Sequence, residues 1–161
     1  MDKKVVDIIN EQINKEFYSA YLYLDMANYY SDNALDGFAN YYEKQAEEEL
    51  EHGMAMYHYL LDNDEKVVLE AIAKPDKTYA SFIEPVKAAL AHEQYVTASI
   101  VNCRQVAVDA GDMRTMIFMN GFVTEQGEEE DNARDLLDKM ELYGDDRSAL
   151  YLLDKELSKR D

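Results

Sequence analysis

Cysteine, proline, glycine and positive charge are all scarce in this chain, and each shortage removes a class of protein. The one cysteine, Cys103, among 161 residues excludes an intrachain disulfide and any Cys-x-x-Cys metal or redox motif. Two prolines and six glycines, set against abundant Leu, Ala, Glu, Asp, Tyr and Met, favour an all-helical protein. No apolar run approaches the roughly 18 residues that a membrane-spanning helix needs. The opening residues, Met1-Asp2-Lys3-Lys4-Val5, pass directly into an amphipathic pattern without the apolar segment of a signal peptide, so a cytoplasmic location is expected. Sixteen Lys and Arg stand against thirty-four Asp and Glu, a net charge of −18. That balance argues against nucleic acid and membrane as partners and suits a protein that attracts cations.

What is present is helical periodicity. A single domain over residues 1–161 is expected, with helices over about 4–30, 35–62, 82–108, 112–143 and 147–159. In the first helix Ile9, Ile13, Glu16, Ala20, Tyr23 and Ala27 recur at steps of four and three, which places them on one face. The second helix repeats the pattern with Phe38, Tyr42, Gln45, Glu49, His52, Met56 and Tyr59. The third has Val86, Ala89, Glu93, Val96, Ile100, Cys103 and Ala107. The fourth has Thr115, Met119, Phe122, Gln126, Glu129, Ala133, Leu136 and Met140. Ser31-Asp32-Asn33 and Asp112 read as capping positions, Ser81-Phe82-Ile83-Glu84 as a capping box, and Gly144-Asp145-Asp146 as the cap of the fifth helix. The stretch between helices two and three lacks clean periodicity and contains Pro75. A bundle needs so long a connection when the next helix must start again at the same end.

Polar residues interrupt every seam. Burying a carboxylate costs several kcal/mol unless something compensates it. The densest interruption is Glu47-Glu48-Glu49-Leu50-Glu51-His52, where Glu49 and His52 stand one turn apart and aim an oxygen and a nitrogen at one point. Taken alone, such a pair is commonly a solvated surface feature. The spacing argues otherwise. Thirty-three residues separate Glu16 from Glu49, and thirty-three separate Glu93 from Gln126. In antiparallel hairpins turning near residues 32 and 110, these pairs lie at matching heights. Each hairpin carries one carboxylate on its first helix and an i, i+3 polar pair on its second, Glu49 with His52 and Gln126 with Glu129. A bundle with one Glu from each of two helices and Glu-x-x-His from the others holds a pair of metal ions. Oxygen ligands with one imidazole suit iron or manganese better than zinc.

At this point the sequence resembles the bacterial non-haem ferritins. The matching stretches are Asn10-Glu11-Gln12, Glu16-Phe17-Tyr18, Tyr23, Glu48-Glu49-Leu50-Glu51-His52, Glu93-Gln94, Glu125-Gln126-Gly127-Glu128-Glu129-Glu130 and Tyr151-Leu152-Leu153-Asp154-Lys155-Glu156-Leu157. They cover nearly the whole chain in order. The resemblance implies a ferritin-like four-helix bundle with a long crossover between helices two and three and a short fifth helix. It implies a ferroxidase centre in which Glu16, Glu49 and His52 hold one iron and Glu49, Glu93 and Gln126 hold or support the second, with Glu49 bridging. Tyr23 matches the family's tyrosine beside that centre, or is a core tyrosine with a satisfied hydroxyl. The resemblance further implies a hollow shell of twenty-four copies that oxidises Fe(II) with O2 or H2O2 and stores ferric mineral.

Departures narrow the subclass. Gln126 and Glu129 stand where bacterioferritins carry a second Glu-x-x-His, and Leu50 stands where their haem-ligating methionine follows the bridging Glu, so no haem is expected. Met116 and Met119 fall where animal ferritins line an acidic threefold pore. The cysteine set of a rubrerythrin is missing. Glu48, Glu125, Glu128 and Glu129 read either as a solvated acidic face or as an all-carboxylate cluster for a third iron, at positions where such ferritins place one. Rival readings are a di-iron oxidase or peroxidase-like enzyme without storage, an acidic divalent-cation buffer, and a helical module that binds a protein through its tyrosines. Tyr18, Tyr21, Tyr29, Tyr30, Tyr41 and Tyr57 are expected at the surface as interface anchors. Leu150, Leu153 and Leu157 form a stripe on the fifth helix that is expected to pack against its own copies.

Overall fold

A computed structural model describes residues 1–161. It contains five helices and no strand: α1 (Lys3–Asp32), α2 (Asp36–Asp62), α3 (Ile83–Asp109), α4 (Met113–Tyr143) and α5 (Arg147–Leu157). The expected bounds lie within two residues of these at every helix end. The seams of α1 and α3 are buried along their whole length. On α2, His52 and Tyr59 are only half-buried, as is Glu129 on α4.

Side-chain bonds fix the directions. Gln45 reaches Glu129 and Tyr59 reaches Thr115, so α2 and α4 are antiparallel. Gln12 meets Ser99 and Tyr23 meets Glu93, so α1 and α3 are antiparallel as well. Phe17 lies against Gly53 and Tyr30 stacks on Phe38, so α1 and α2 are antiparallel too, and α2 and α3 therefore run parallel. The chain must return along the bundle between them, and residues 63–82 do so. A helix of this length spans about 40 Å, and twenty extended residues reach about 66 Å. The return strap is pinned to α1 by two asparagines one turn apart. Asn10 accepts from Val68 N at 2.7 Å and donates to Lys66 O at 3.1 Å. Asn14 donates to the Glu70 and Ala71 carbonyls at 3.4 and 3.3 Å.

Asp112 caps α4 by accepting from Thr115 N at 3.0 Å, and Asp146 caps α5 through Ala149 N at 2.8 Å. Two expected caps are corrected. Leu35, not a residue of Ser31-Asp32-Asn33, stands at the start of α2, and it has no side-chain cap. At α3 the Ser81 side chain makes no cap, and Glu84 accepts from Ala80 N at 2.6 Å instead. The fifth-helix stripe is also corrected: Leu150 and Leu153 are buried in the chain's own core, and Leu157 packs against it. Helix α5 sits this close because Gly37 has no side chain. A Cβ there would lie 1.7 Å from the Asp154 carbonyl oxygen.

The core falls into two apolar clusters. One gathers Leu22, Met26, Phe38, Val86 and Leu136 with the fifth-helix leucines. The other gathers Val5, Ile9, Ile13, Met56, Ile100, Cys103 and Met119. Cys103 is thus a small core residue, and burial pushes its thiol up to about 12. Between the two clusters along each seam lies a layer of buried polar side chains: Gln12, Glu16, Gln45, Glu49, Glu93 and Gln126. Among the tyrosines expected outside, Tyr30 is a core residue with no exposure, donating to Phe82 O at 2.5 Å. Tyr18, Tyr29, Tyr41 and Tyr57 are half-buried.

Candidate metal centre

The polar layer assembles because each helix brings one seam position to the same height. Glu16 from α1 and Glu49 with His52 from α2 each offer a ligand atom, and these atoms lie within 4.8 Å of one another. His52 Nδ1 is 3.6 Å from Glu49 Oε2. Its ring stands edge-on to Phe122 at 5.6 Å between centroids. Opposite them, Gln126 of α4 donates to Glu93 Oε2 of α3 at 3.0 Å and to Thr97 Oγ1 at 3.3 Å. Tyr23 donates to the other Glu93 oxygen. Tyr23 stacks in turn on Tyr42, 5.9 Å away, whose ring stacks on Tyr30 at 5.6 Å.

Three carboxylate oxygens stand out. Glu16 Oε2 and both oxygens of Glu49 are buried without any hydrogen-bond partner. Buried acceptors are nearly always satisfied, so these three are oxygens that a cation could satisfy. The electrostatics agree. Burial first, and then the Glu49 charge, hold the Glu16 carboxyl well above the usual carboxylate range. Burial and the Glu93 charge push Glu49 up to about 8. Burial pushes Glu93 up to about 7, although the Tyr23 and Gln126 hydrogen bonds oppose the shift. A divalent ion would supply the missing charge, and oxygen donors with one imidazole fit iron.

The remaining carboxylates are dispersed around this centre. Glu125 Oε2 lies 3.6 Å from His52 Nε2, on the far side of the ring from Glu49. Glu129 accepts from Gln45 Nε2 at 2.7 Å, and burial raises its carboxyl. Glu48 is held by Arg160 Nη2 at 2.5 Å, and Glu128 is exposed. The Arg160 guanidinium also donates to Gln45 Oε1 at 3.0 Å and to Tyr41 O at 3.2 Å, and lies 4.5 Å over the Tyr41 ring. Of the expected residues, the structure thus joins Glu16, Glu49 and His52 in one cluster and Glu93 with Tyr23 and Gln126 in another beside it.

Sequence reasoning assigned no role to Gln12, Gln45, His92 and Arg160. Gln12 is fully buried on α1 one turn before Glu16, a signal open to periodicity since it breaks the apolar face. Burial pushes His92 down to about 4, and the neutral ring lies 2.7 Å from Ser19 Oγ. Arg160 had no local signal, because its partners are more than a hundred residues away.

An antiparallel bundle of four long helices, with carboxylates and one histidine meeting in a buried mid-height layer, defines a helical carboxylate metal-site protein. The chain belongs to the ferritin family: the model of the ferritin-like domain matches residues 6–143. It is 40% identical over 160 residues to a bacterial non-heme ferritin of Staphylococcus saprophyticus, covering 99% of this chain and 96% of the relative. A bacterial non-heme ferritin of Staphylococcus epidermidis is 38% identical over the same span. Among solved structures, an open pore ferritin from the archaeon Archaeoglobus fulgidus is 39% identical and superposes with a TM-score of 0.98, covering 100% of this chain and 99% of that one. An engineered closed form of the Archaeoglobus ferritin superposes equally well, also at 39% identity.

Proposed function

We propose that this protein stores iron: it takes up Fe(II), oxidises it at an intrasubunit ferroxidase centre, and keeps ferric mineral inside a shell of twenty-four copies. The observation that carries this reading is the set of three unpartnered buried oxygens on Glu16 and Glu49, facing the imidazole of His52. Fe(II) is the substrate. Glu16, Glu49 and His52 hold one ion. Glu49 and Glu93, with Gln126 in support, hold the second, and Glu49 bridges. Burial raises these carboxyls, and a bound cation favours their ionised form, so metal uptake releases protons. Carboxylate ligands favour Fe(III) over Fe(II), so oxidation is downhill once both sites are filled. Two ferrous ions supply the two electrons that reduce O2 to H2O2, or H2O2 to water. Neutral Gln126 in place of a carboxylate lowers the negative charge at the second ion, which favours release of the ferric product. Tyr23 holds Glu93 in place beside the pair.

Glu48, Glu125, Glu128 and Glu129 would take a third, weaker ferrous ion. Arg160 already neutralises part of that cluster, so a cation must displace the guanidinium to enter. No haem is part of this reading. Support for the shell comes from an exposed apolar groove of about 470 Å³ between α1 and α2, lined by Phe17, Tyr21, Leu24, Leu50 and Ile72 among others. No helix is long and apolar enough to cross a membrane.

The test is aerobic addition of Fe(II) to the metal-free protein, following ferric absorbance and sizing the product. Mineral within a particle of several hundred kDa is expected. Rapid oxidation without retained iron would favour a di-iron oxidase. Bound Fe(II) without oxygen consumption would favour a cation buffer.

A further inference from the structure

Behind Glu16 a single file of hydrogen bonds runs from α1 to α3 and back. Lys15 Nζ donates to Ser99 Oγ at 2.8 Å. Ser99 Oγ donates to Gln12 Oε1 at 2.6 Å. Gln12 Nε2 donates to Glu16 Oε1 at 2.8 Å. An ammonium group has three donors and no acceptor, so Ser99 accepts from Lys15, and its own hydrogen is free for Gln12 Oε1. With the Gln12 amide oxygen toward Ser99, its NH2 end faces Glu16. The Cys103 thiol lies 3.8 Å from both Gln12 Oε1 and the Ile8 carbonyl. The consequence appears on the carboxylate. Oε1 of Glu16 is engaged from behind, and Oε2 is buried and unpartnered.

We propose that Lys15, Ser99 and Gln12 are positioning residues for the metal centre, acting as a directed hydrogen-bond chain that makes Glu16 present only Oε2 to the cation. The proposal rests on the reading of Glu16 as a ligand. Outer partners of this kind orient a ligand and tune its metal, and their loss costs about 10-fold to 100-fold in affinity. Without the chain the Glu16 carboxyl can rotate, and both oxygens can turn to one ion. Coordination number then rises and geometry changes, which the metal's own spectrum reports. The chain also ties the two hairpins together beside the centre, since Ser99 belongs to α3 and the other members to α1.

The probe is Co(II), which is much harder to oxidise than Fe(II) and absorbs visibly in a geometry-dependent way. Titrations by calorimetry and absorption compare the wild-type shell with Gln12→Met, Ser99→Ala and Ser99→Thr. Gln12→Met keeps the side-chain length and removes both amide contacts. Ser99→Ala breaks the chain one link earlier, at a half-buried position where folding is not at stake. Ser99→Thr restores the hydroxyl. Weakening of the tighter Co(II) site by about 10-fold to 100-fold is expected in Gln12→Met, with a weaker visible band as coordination number rises. Ser99→Ala should move both readouts in the same direction, and Ser99→Thr should return them to wild type. A purely structural role would lower Tm alike in all variants and leave the Co(II) band unchanged. Wild-type affinity and spectrum in Gln12→Met overturn the proposal and leave the centre standing, as does identical behaviour of Ser99→Ala and Ser99→Thr. If Gln12→Met does not fold, the Ser99 pair decides alone. A wild-type protein that binds no Co(II) at these residues overturns the chain and the centre together.

Discussion

Glu49 is the residue on which the centre turns. It is completely buried, both its oxygens lack partners, and the neighbouring Glu93 charge works against its ionisation. With Glu49 bridging as proposed, Glu49→Ala should abolish the rapid phase of Fe(II) oxidation, because both ions would lose a shared ligand. His52→Ala should slow that phase and spare binding of the second ion, and stopped-flow absorbance separates the two. The same carboxyls set a pH dependence. Glu49 and Glu93 titrate at about 8 and about 7 in the fold, against about 4.3 in an unfolded chain. The folded state therefore binds more protons in that window, and its stability must fall as pH rises. The contribution is complete below about pH 4.3 and is lost by about pH 8 to 9. Metal-free protein should show a lower Tm at pH 8.5 than at pH 6, and a divalent cation should reverse the loss. A metal-free Tm independent of pH across this range would contradict the burial assigned to these groups. Glu49→Gln removes the charge and should raise the metal-free Tm at pH 8.5 by a few degrees, on the order of 1 kcal/mol.

At the scale of the elements, two glycines decide how helices meet. Gly37 lets α5 approach α2 backbone to backbone, where Asp154 Oδ1 accepts from Phe38 N at 3.0 Å. Gly37→Ala should push α5 off the bundle at a cost of about 1–3 kcal/mol, typical of overpacking, and expose the C-terminus to limited proteolysis. Gly111 works differently. It turns the chain between α3 and α4 at φ +69° with open space around it. Gly111→Ala should therefore cost about 1 kcal/mol from backbone strain alone, read as a Tm shift with unchanged Fe(II) oxidation. The four long helices themselves were legible in the chain because steps of four and three run along each one, apolar except where a few polar residues interrupt them. Their ends were less so. Asp112 and Asp146 have short side chains that accept from the backbone N–H three residues on, as true caps do. Ser31-Asp32-Asn33 has the same chemistry, but α1 runs on through Asp32 and consumes it.

For the whole molecule, the apolar groove formed by Phe17, Tyr21, Leu24 and Leu50 is the face that a shell would cover. Leu50 is 50% exposed in the isolated chain and follows the buried Glu49 directly, so its side chain leaves a different side of α2. Leu50→Arg should shift the particle toward monomers and dimers in light scattering while each subunit keeps its fold by circular dichroism. A particle of unchanged size would remove this groove from the assembly. The fifth helix is a weaker lever, since its leucines are already buried in its own chain. Only Tyr151 and Leu152, 58% and 67% exposed, remain for a neighbour.

The sequence by itself determined the helices, their buried seams and the height at which polar residues break them. Helical periodicity is a local property, and two equal separations of thirty-three residues carry it across each hairpin. It could not determine which groups those polar residues touch. Whether Tyr30 faces the core or the solvent, whether Leu150 packs on its own chain or on another, and whether Glu48 meets Arg160 all depend on contacts between segments far apart. Only the tertiary structure decided these, because burial and hydrogen bonding belong to the packed bundle and not to any one helix. The same holds for Gln12. Its place beside Glu16 follows from one helical turn, but its role behind the ligand appears only once Ser99 of α3 is brought against it.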